Sequence, residues 1–243
     1  MTTLMKVLIG SIPVIVVLVA AAFFTPPEFP LLARQFLLVA WAGIGIFVAE
    51  YLLFGPGLGR IATAMGLVAP RWRAVGVALF VSLPMWLFLP IYGWATGIPI
   101  ALNPDWLAIL LGVILVNGLA EEFIHRAYVF GNLRRERSFA TAAWISAAIF
   151  AAQHLYLMIN MGPVAGGASV LLALLLAFPL AFIYERGGNS LAGPAILHTS
   201  SNAPMMLFVT PAVAAQVILP YMALVLASIY LTFLFHRWLG APK

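Results

Sequence analysis

Asn117-Gly118-Leu119-Ala120-Glu121-Glu122-Phe123-Ile124-His125-Arg126 is the stretch on which the reading of this chain turns. It packs four ionisable side chains into six residues, in a chain of 243 residues that is only 8% charged. Apolar sequence flanks it on both sides, over residues 106–116 and 127–130. Read as a helix, the stretch carries two carboxylates into a bilayer. A carboxylate there costs several kcal/mol unless it is compensated, so intramembrane acids are rare and face the protein interior. Glu122 and Arg126 are four residues apart and can pair on one helix face. Glu121 points about 100° away from Glu122. Arg126 therefore neutralises one glutamate and leaves the other free for chemistry.

Outward from this stretch the chain is 64% hydrophobic. Soluble domains are roughly half apolar and a quarter charged. The composition lacks the polar surface of a soluble helical domain, and the fold class is an all-α polytopic membrane protein. With no cysteine there is neither a disulfide nor a thiolate metal site. Asp105 is the only aspartate, which excludes an aspartyl dyad.

Apolar runs predict about eight spans, over residues 7–24, 31–54, 74–92, 106–132, 138–157, 169–184, 190–207 and 214–235. A short interfacial helix carrying Arg60 is expected at 58–67. The Ala20-Ala21-Ala22 end of the first run also resembles the end of a signal peptide, but its length favours a retained crossing helix. Asp105 is the expected N-cap of the fourth span. Residues 162–167 read as a flexible loop, and Pro211 opens the last region. No internal repeat or soluble domain interrupts residues 1–243, which read as one membrane domain.

The net charge is +5. Lys6, Arg60, Arg71, Arg73, the Arg134–Arg137 turn, Arg186 and Arg237 fall on one side of the predicted topology. Only Glu28, Arg34 and Asp105 fall on the other. This is an orientation signal, not a nucleic-acid surface, and it puts both termini in the cytoplasm. The Ala/Leu/Gly-rich composition fits a bacterial plasma membrane protein, with the lipid bilayer as a partner and no nucleic acid.

Two further polar clusters sit on separate spans. Phe150-Ala151-Ala152-Gln153-His154 puts Phe150 and His154 on one face. His198-Thr199-Ser200-Ser201-Asn202 does the same for His198 and Asn202, a paired donor set of the makeup of an oxyanion hole. Each cluster has a bland reading: an ion pair, or polar packing between helices. An ion pair needs one glutamate, so the second is unexplained on that reading. Counting helical rise from the span ends brings Glu121, His154, His198 and Asn202 to meeting depths near mid-membrane, somewhat towards the cytoplasm.

In order, Glu121-Glu122-x-x-x-Arg126, Phe150-x-x-x-His154 and His198-x-x-x-Asn202 resemble the CPBP family of intramembrane proteases, which includes the type 2 CAAX prenyl proteases. Ser190-Leu191-Ala192-Gly193-Pro194 before the last motif looks like that family too. The resemblance covers residues 106–207 as a catalytic core. It implies an intramembrane endopeptidase in which Glu121 and His154 activate a water and His198 and Asn202 stabilise the oxyanion. Glu122, Arg126 and Phe150 would support them. Ala127 departs from the family, where Gly commonly follows the Arg. His125 lies at a variable position and reads as structural.

Neither a His-Glu-x-x-His zinc motif nor a Gly-x-Ser-Gly serine motif is present; Gly167-Ala168-Ser169-Val170 lacks the second glycine. No cofactor is expected. The alternative is a zinc-dependent form of the same reaction, with Glu121, His154 and His198 as ligands. From another class, a catalytically silent scaffold or immunity protein uses the same buried charges for structure alone. An ion-coupled carrier would show inverted repeats, and none is visible.

Overall fold

The computed structural model describes residues 1–26, 28–209 and 214–241, and is about 82% helical. Nine helices form among these residues. They are α1 Thr3–Phe24, α2 Leu31–Phe54, α3 Leu58–Ala64, α4 Trp72–Thr96, α5 Trp106–Arg134, α6 Phe139–Asn160, α7 Pro163–Arg186, α8 Ala192–Leu207 and α9 Ala214–Tyr230. A 3-10 turn, Leu231–Phe235, and a last short helical turn, His236–Leu239, extend α9. Pro211 lies outside the described residues, as do Pro27 and Lys243.

Seven of these segments are long and apolar enough to cross a membrane. The seventh expected span, α8, has only 16 residues, about 24 Å of rise against the roughly 20 residues a bilayer requires. Its ends nevertheless reach opposite ends of the bundle. Leu191 N–H bonds the Gly66 carbonyl (3.1 Å), just before α4 begins. At the other end, β2 Phe208–Val209 pairs antiparallel with β1 Ala101–Leu102, which follows α4. So α8 lies along α4, and the two residues of β2 complete its traverse.

Two local expectations differ. Asp105 occupies the N-cap position of α5, but its side chain makes no capping bond. The Asn103 side chain accepts from Asp105 N–H (2.9 Å) instead, and the Asn103 carbonyl accepts from Trp106 N–H (2.9 Å). The Gly162–Gly167 loop is also mostly helix, because Pro163 at the first turn has its φ set for one. Gly166 then packs on the backbone of α6, where a Cβ would meet the Leu157 carbonyl oxygen at 2.5 Å. The glycines serve close helix contact there, not loop freedom.

The basic turns converge on one end of the bundle. Thr3 Oγ1 donates to Glu136 (2.6 Å), Arg71 N–H to the Gly187 carbonyl (3.0 Å) and Arg134 Nε to Glu185 (2.5 Å). The outer faces of the spans are apolar, with Ile9, Leu52, Phe80, Leu83 and Leu171 all exposed, as lipid contact requires.

Two tyrosines of the last span repair proline defects in its neighbours. Pro204 in α8 has no N–H to give the Ser200 carbonyl four residues back. Tyr221 Oη donates to that carbonyl, and to Ser201 O, at 3.1 Å. Pro179 in α7 likewise frees the Leu175 carbonyl, and Tyr230 Oη donates to it at 3.1 Å. Each repair also pins α9 to a helix of the core.

Candidate active site

Three helices build the site. The fourth span departs from the uniform α-helix expected of it. Ile114–Ala120 and Phe123–Phe130 are π-helical, and Glu121-Glu122 sit between the two stretches. Glu121 N–H bonds Val116 O, and Gly131 N–H bonds Arg126 O, each five residues back. Such turns are rare and concentrate at functional sites. The Ser146 hydroxyl of α6 donates to the His125 carbonyl within this wide segment (2.8 Å). Gly118 admits α8: a Cβ there would meet Thr199 Oγ1 at 2.6 Å.

The first motif is an ion pair, as its spacing implies. Arg126 Nε lies 3.2 Å from Glu122 Oε2, and both side chains are fully buried. The guanidinium also lies over the Phe150 ring, 4.5 Å from its centre. Its nitrogens make no hydrogen bond among the described residues. Charge and the ring face hold Arg126 in place.

Glu122 has a second partner. Its Oε1 accepts from His198 Nδ1 at 2.7 Å, and the other ring nitrogen, Nε2, stands 3.5 Å from Glu121 Oε2. His198, 2% exposed, thus bridges the two glutamates. The spacing along the sequence assigns Glu122 to Arg126 alone; only packing brings α8 to it, 76 residues away.

His154 opens a 3-10 turn, His154–Tyr156, inside α6. Its Nδ1–H donates to the Phe150 carbonyl (2.8 Å), which fixes the tautomer and leaves Nε2 with a lone pair. Phe150 is the hub: its ring meets His154, His125 and His198 at centroid distances of 4.6, 4.7 and 5.6 Å, besides Arg126. Asn202 directs its amide at the His198 carbonyl (3.2 Å) and Ser201 Oγ (3.4 Å).

Glu121, His154, His198 and Asn202 share the wall of one cavity of about 440 Å³, with apolar walls from Leu172 and Leu176 of α7. Glu121 also borders a second cavity of about 320 Å³, lined by the end of α1 and the start of α2. The walls of both come from the ends of the helices remote from the basic turns. The depth count, which leaned towards the basic side, misses this because it places side chains along an axis and not the space between them.

Two site residues escape the sequence reading. Gln153 donates to Glu121 Oε1 (3.2 Å) and accepts from His125 Nε2 (2.8 Å). Asn117, one turn before Glu121, reaches its Oε2 at 3.5 Å. The signal for Gln153 was an isolated amide in an apolar span, directly before His154. His125 is therefore structural through Gln153, and buried.

Among the described residues no three His, Asp or Glu side chains are arranged to hold a metal ion. Glu121, His154 and His198 border one cavity, but His198 commits one nitrogen to Glu122 and turns the other to Glu121. Comparison with curated proteins and with solved structures gives no match. Residues 103–204, which contain every one of the three motifs, match the model of the family described as type II CAAX prenyl endopeptidase Rce1-like, so this part of the chain is similar to that family.

Proposed function

We propose that the protein is an intramembrane endopeptidase in which Glu121 is the general base and residues 106–207 are the catalytic core. The observation that carries this reading is the single cavity that Glu121, His154, His198 and Asn202 border together. A water held between Glu121 and His154 Nε2 gives its proton to Glu121 as its oxygen attacks the scissile carbonyl carbon. Negative charge then gathers on the carbonyl oxygen. His198 Nε2 and the Asn202 amide, one turn apart on α8, supply the donors for it, the Asn202 amide turning from the His198 carbonyl that it bonds in the resting chain. The C–N bond breaks as the amine takes the proton back from Glu121.

Glu122 and Arg126 keep His198 in place during this sequence, and Phe150 holds the three imidazoles apart. The basic end of the bundle lies in the cytoplasm of a bacterial plasma membrane, with both termini there. The substrate is a peptide or the tail of a membrane protein. No metal enters these steps. The reading is tested by comparing the membrane and released peptides of cells making the protein with those of cells making Glu121→Ala. Peptides that accumulate only with the intact glutamate support it; identical peptide sets overturn it.

A further inference from the structure

Among the described residues, Arg34 is the only Lys or Arg at the end of the bundle opposite the basic turns. It lies in the first turn of α2, where the helix dipole disfavours a cation. The charge bias that orients the chain disfavours it there as well. Among the described residues it has no acidic partner. The side chain is half-buried and carries no fold-stabilising ion pair that would explain it.

Its surroundings supply a reason. Arg34 lines the 320 Å³ cavity together with Gln35, Tyr156, Asn160 and Glu121. Gln35 Oε1 is buried without a hydrogen-bond partner. Oxygen and nitrogen of an amide are interchangeable by a half-turn, so that position can present a buried donor. Tyr156 and Asn160 add a hydroxyl and an amide. Apart from Glu121, the polar groups of this cavity suit an anion. Glu121 borders both cavities, so a peptide laid across it has one side in each. The larger cavity offers apolar walls to one side. The smaller offers a guanidinium, whose planar fork matches a carboxylate.

We propose that Arg34 is a substrate subsite that binds a carboxylate on one side of the scissile bond, either the chain terminus or an acidic side chain. The proposal rests on the protease reading above. Glu121 repels a substrate carboxylate, and Arg34 offsets that repulsion. The enzyme then selects peptides that are apolar on one side of the cleaved bond and anionic on the other.

The test reads binding, not turnover, in the full-length Glu121→Gln chain in phosphatidylcholine nanodiscs. Three fluorescent apolar hexapeptides serve as probes: one with a free carboxyl terminus, one amidated, and one amidated with a single internal Glu. A charge-assisted hydrogen bond predicts that a carboxylate peptide binds about tenfold to a hundredfold tighter than the neutral amide. Adding Arg34→Gln removes that preference, and Arg34→Lys keeps part of it. A preference for the internal Glu assigns the subsite to acidic side chains; a preference for the free terminus alone assigns it to the chain end. Equal binding of acid and amide by the Glu121→Gln chain overturns the proposal. So does an equal loss for all three peptides in Arg34→Gln. A thermal shift confined to Arg34→Gln on replacing phosphatidylcholine by phosphatidylglycerol, with peptide preference intact, assigns Arg34 to lipid phosphate instead and also overturns it. Cleavage by the unmodified chain is scored separately, so failure of the protease reading leaves the carboxylate preference measurable.

Discussion

Glu50, near the end of α2, accepts from Arg60 at 2.5 Å on one oxygen and from Asn132 at 2.9 Å on the other. Arg135 stands 4.0 Å off, and the side chain is fully buried. Glu121 is 6% exposed, and its contacts to Gln153, His198 and Asn117 run from 3.2 to 3.5 Å. It has a cavity on each side. Both are carboxylates taken out of water by helices of the same bundle. Short charge-assisted bonds occupy the lone pairs of Glu50 and make it a strut between α2, α3 and α5. Long contacts and adjoining space leave those of Glu121 available to a water. Burial is common to the two carboxylates; what separates them is how far their oxygens are occupied.

The largest effect expected from this contrast is at Glu121. Glu121→Gln keeps the shape and loses the proton acceptor, so turnover of a fluorogenic peptide should fall by about a hundredfold to ten-thousandfold. The thermal midpoint in detergent should stay near that of the unchanged protein. Retained turnover breaks the contrast outright.

Next comes Asn202→Ala. A donor aimed at a charge that appears only in the transition state affects kcat and not KM, by about a hundredfold to a thousandfold. Steady-state kinetics that raise KM alone would make Asn202 a packing residue like Asn132.

Glu50→Ala should act in the opposite way. It leaves Arg60 and Asn132 with backbone carbonyls as their only acceptors, and losing hydrogen bonds to a charged group costs about 1.5–3 kcal/mol. Denaturation in mixed micelles should register that loss, while kcat of the folded fraction changes little. A fall in kcat at unchanged stability would make Glu50 part of the site.

The smallest effect sharpens the account of Glu121 itself. Gln153→Ala removes the bond that holds Oε1 and, with it, the partner of His125. One net hydrogen bond of about 1 kcal/mol predicts a fall in kcat of up to about tenfold with KM unchanged. Equal losses in Gln153→Ala and in the double variant with His125→Phe identify the two as one relay; additive losses separate them.

Much of this was legible from residue order. Apolar runs located the spans to within a turn or two, because lipid tolerates only helices whose backbone is internally bonded. The Glu122–Arg126 pair followed from a spacing of four, and the segregation of basic turns from their loop positions. The 16-residue α8 reads as an ordinary span, since two residues of β2 supply the missing length. The π turns around Glu121-Glu122 left no periodic trace, since one extra residue per turn is absorbed within a uniformly apolar stretch. Gln153 carried a faint signal, whose meaning depended on a partner 32 residues away.

The sequence by itself determined that this is a helical membrane protein with three polar clusters on three spans, and which side chains carry charge. Hydropathy and helical spacing act over one to four residues, so they are written locally. Only the tertiary structure decided which carboxylate is saturated and which borders a cavity, that His198 bridges both glutamates, and that Arg34 shares a cavity with Glu121. Those facts depend on distances between helices. Such distances are set by the small residues and prolines that let the helices approach, and not by any residue's own neighbours in the chain.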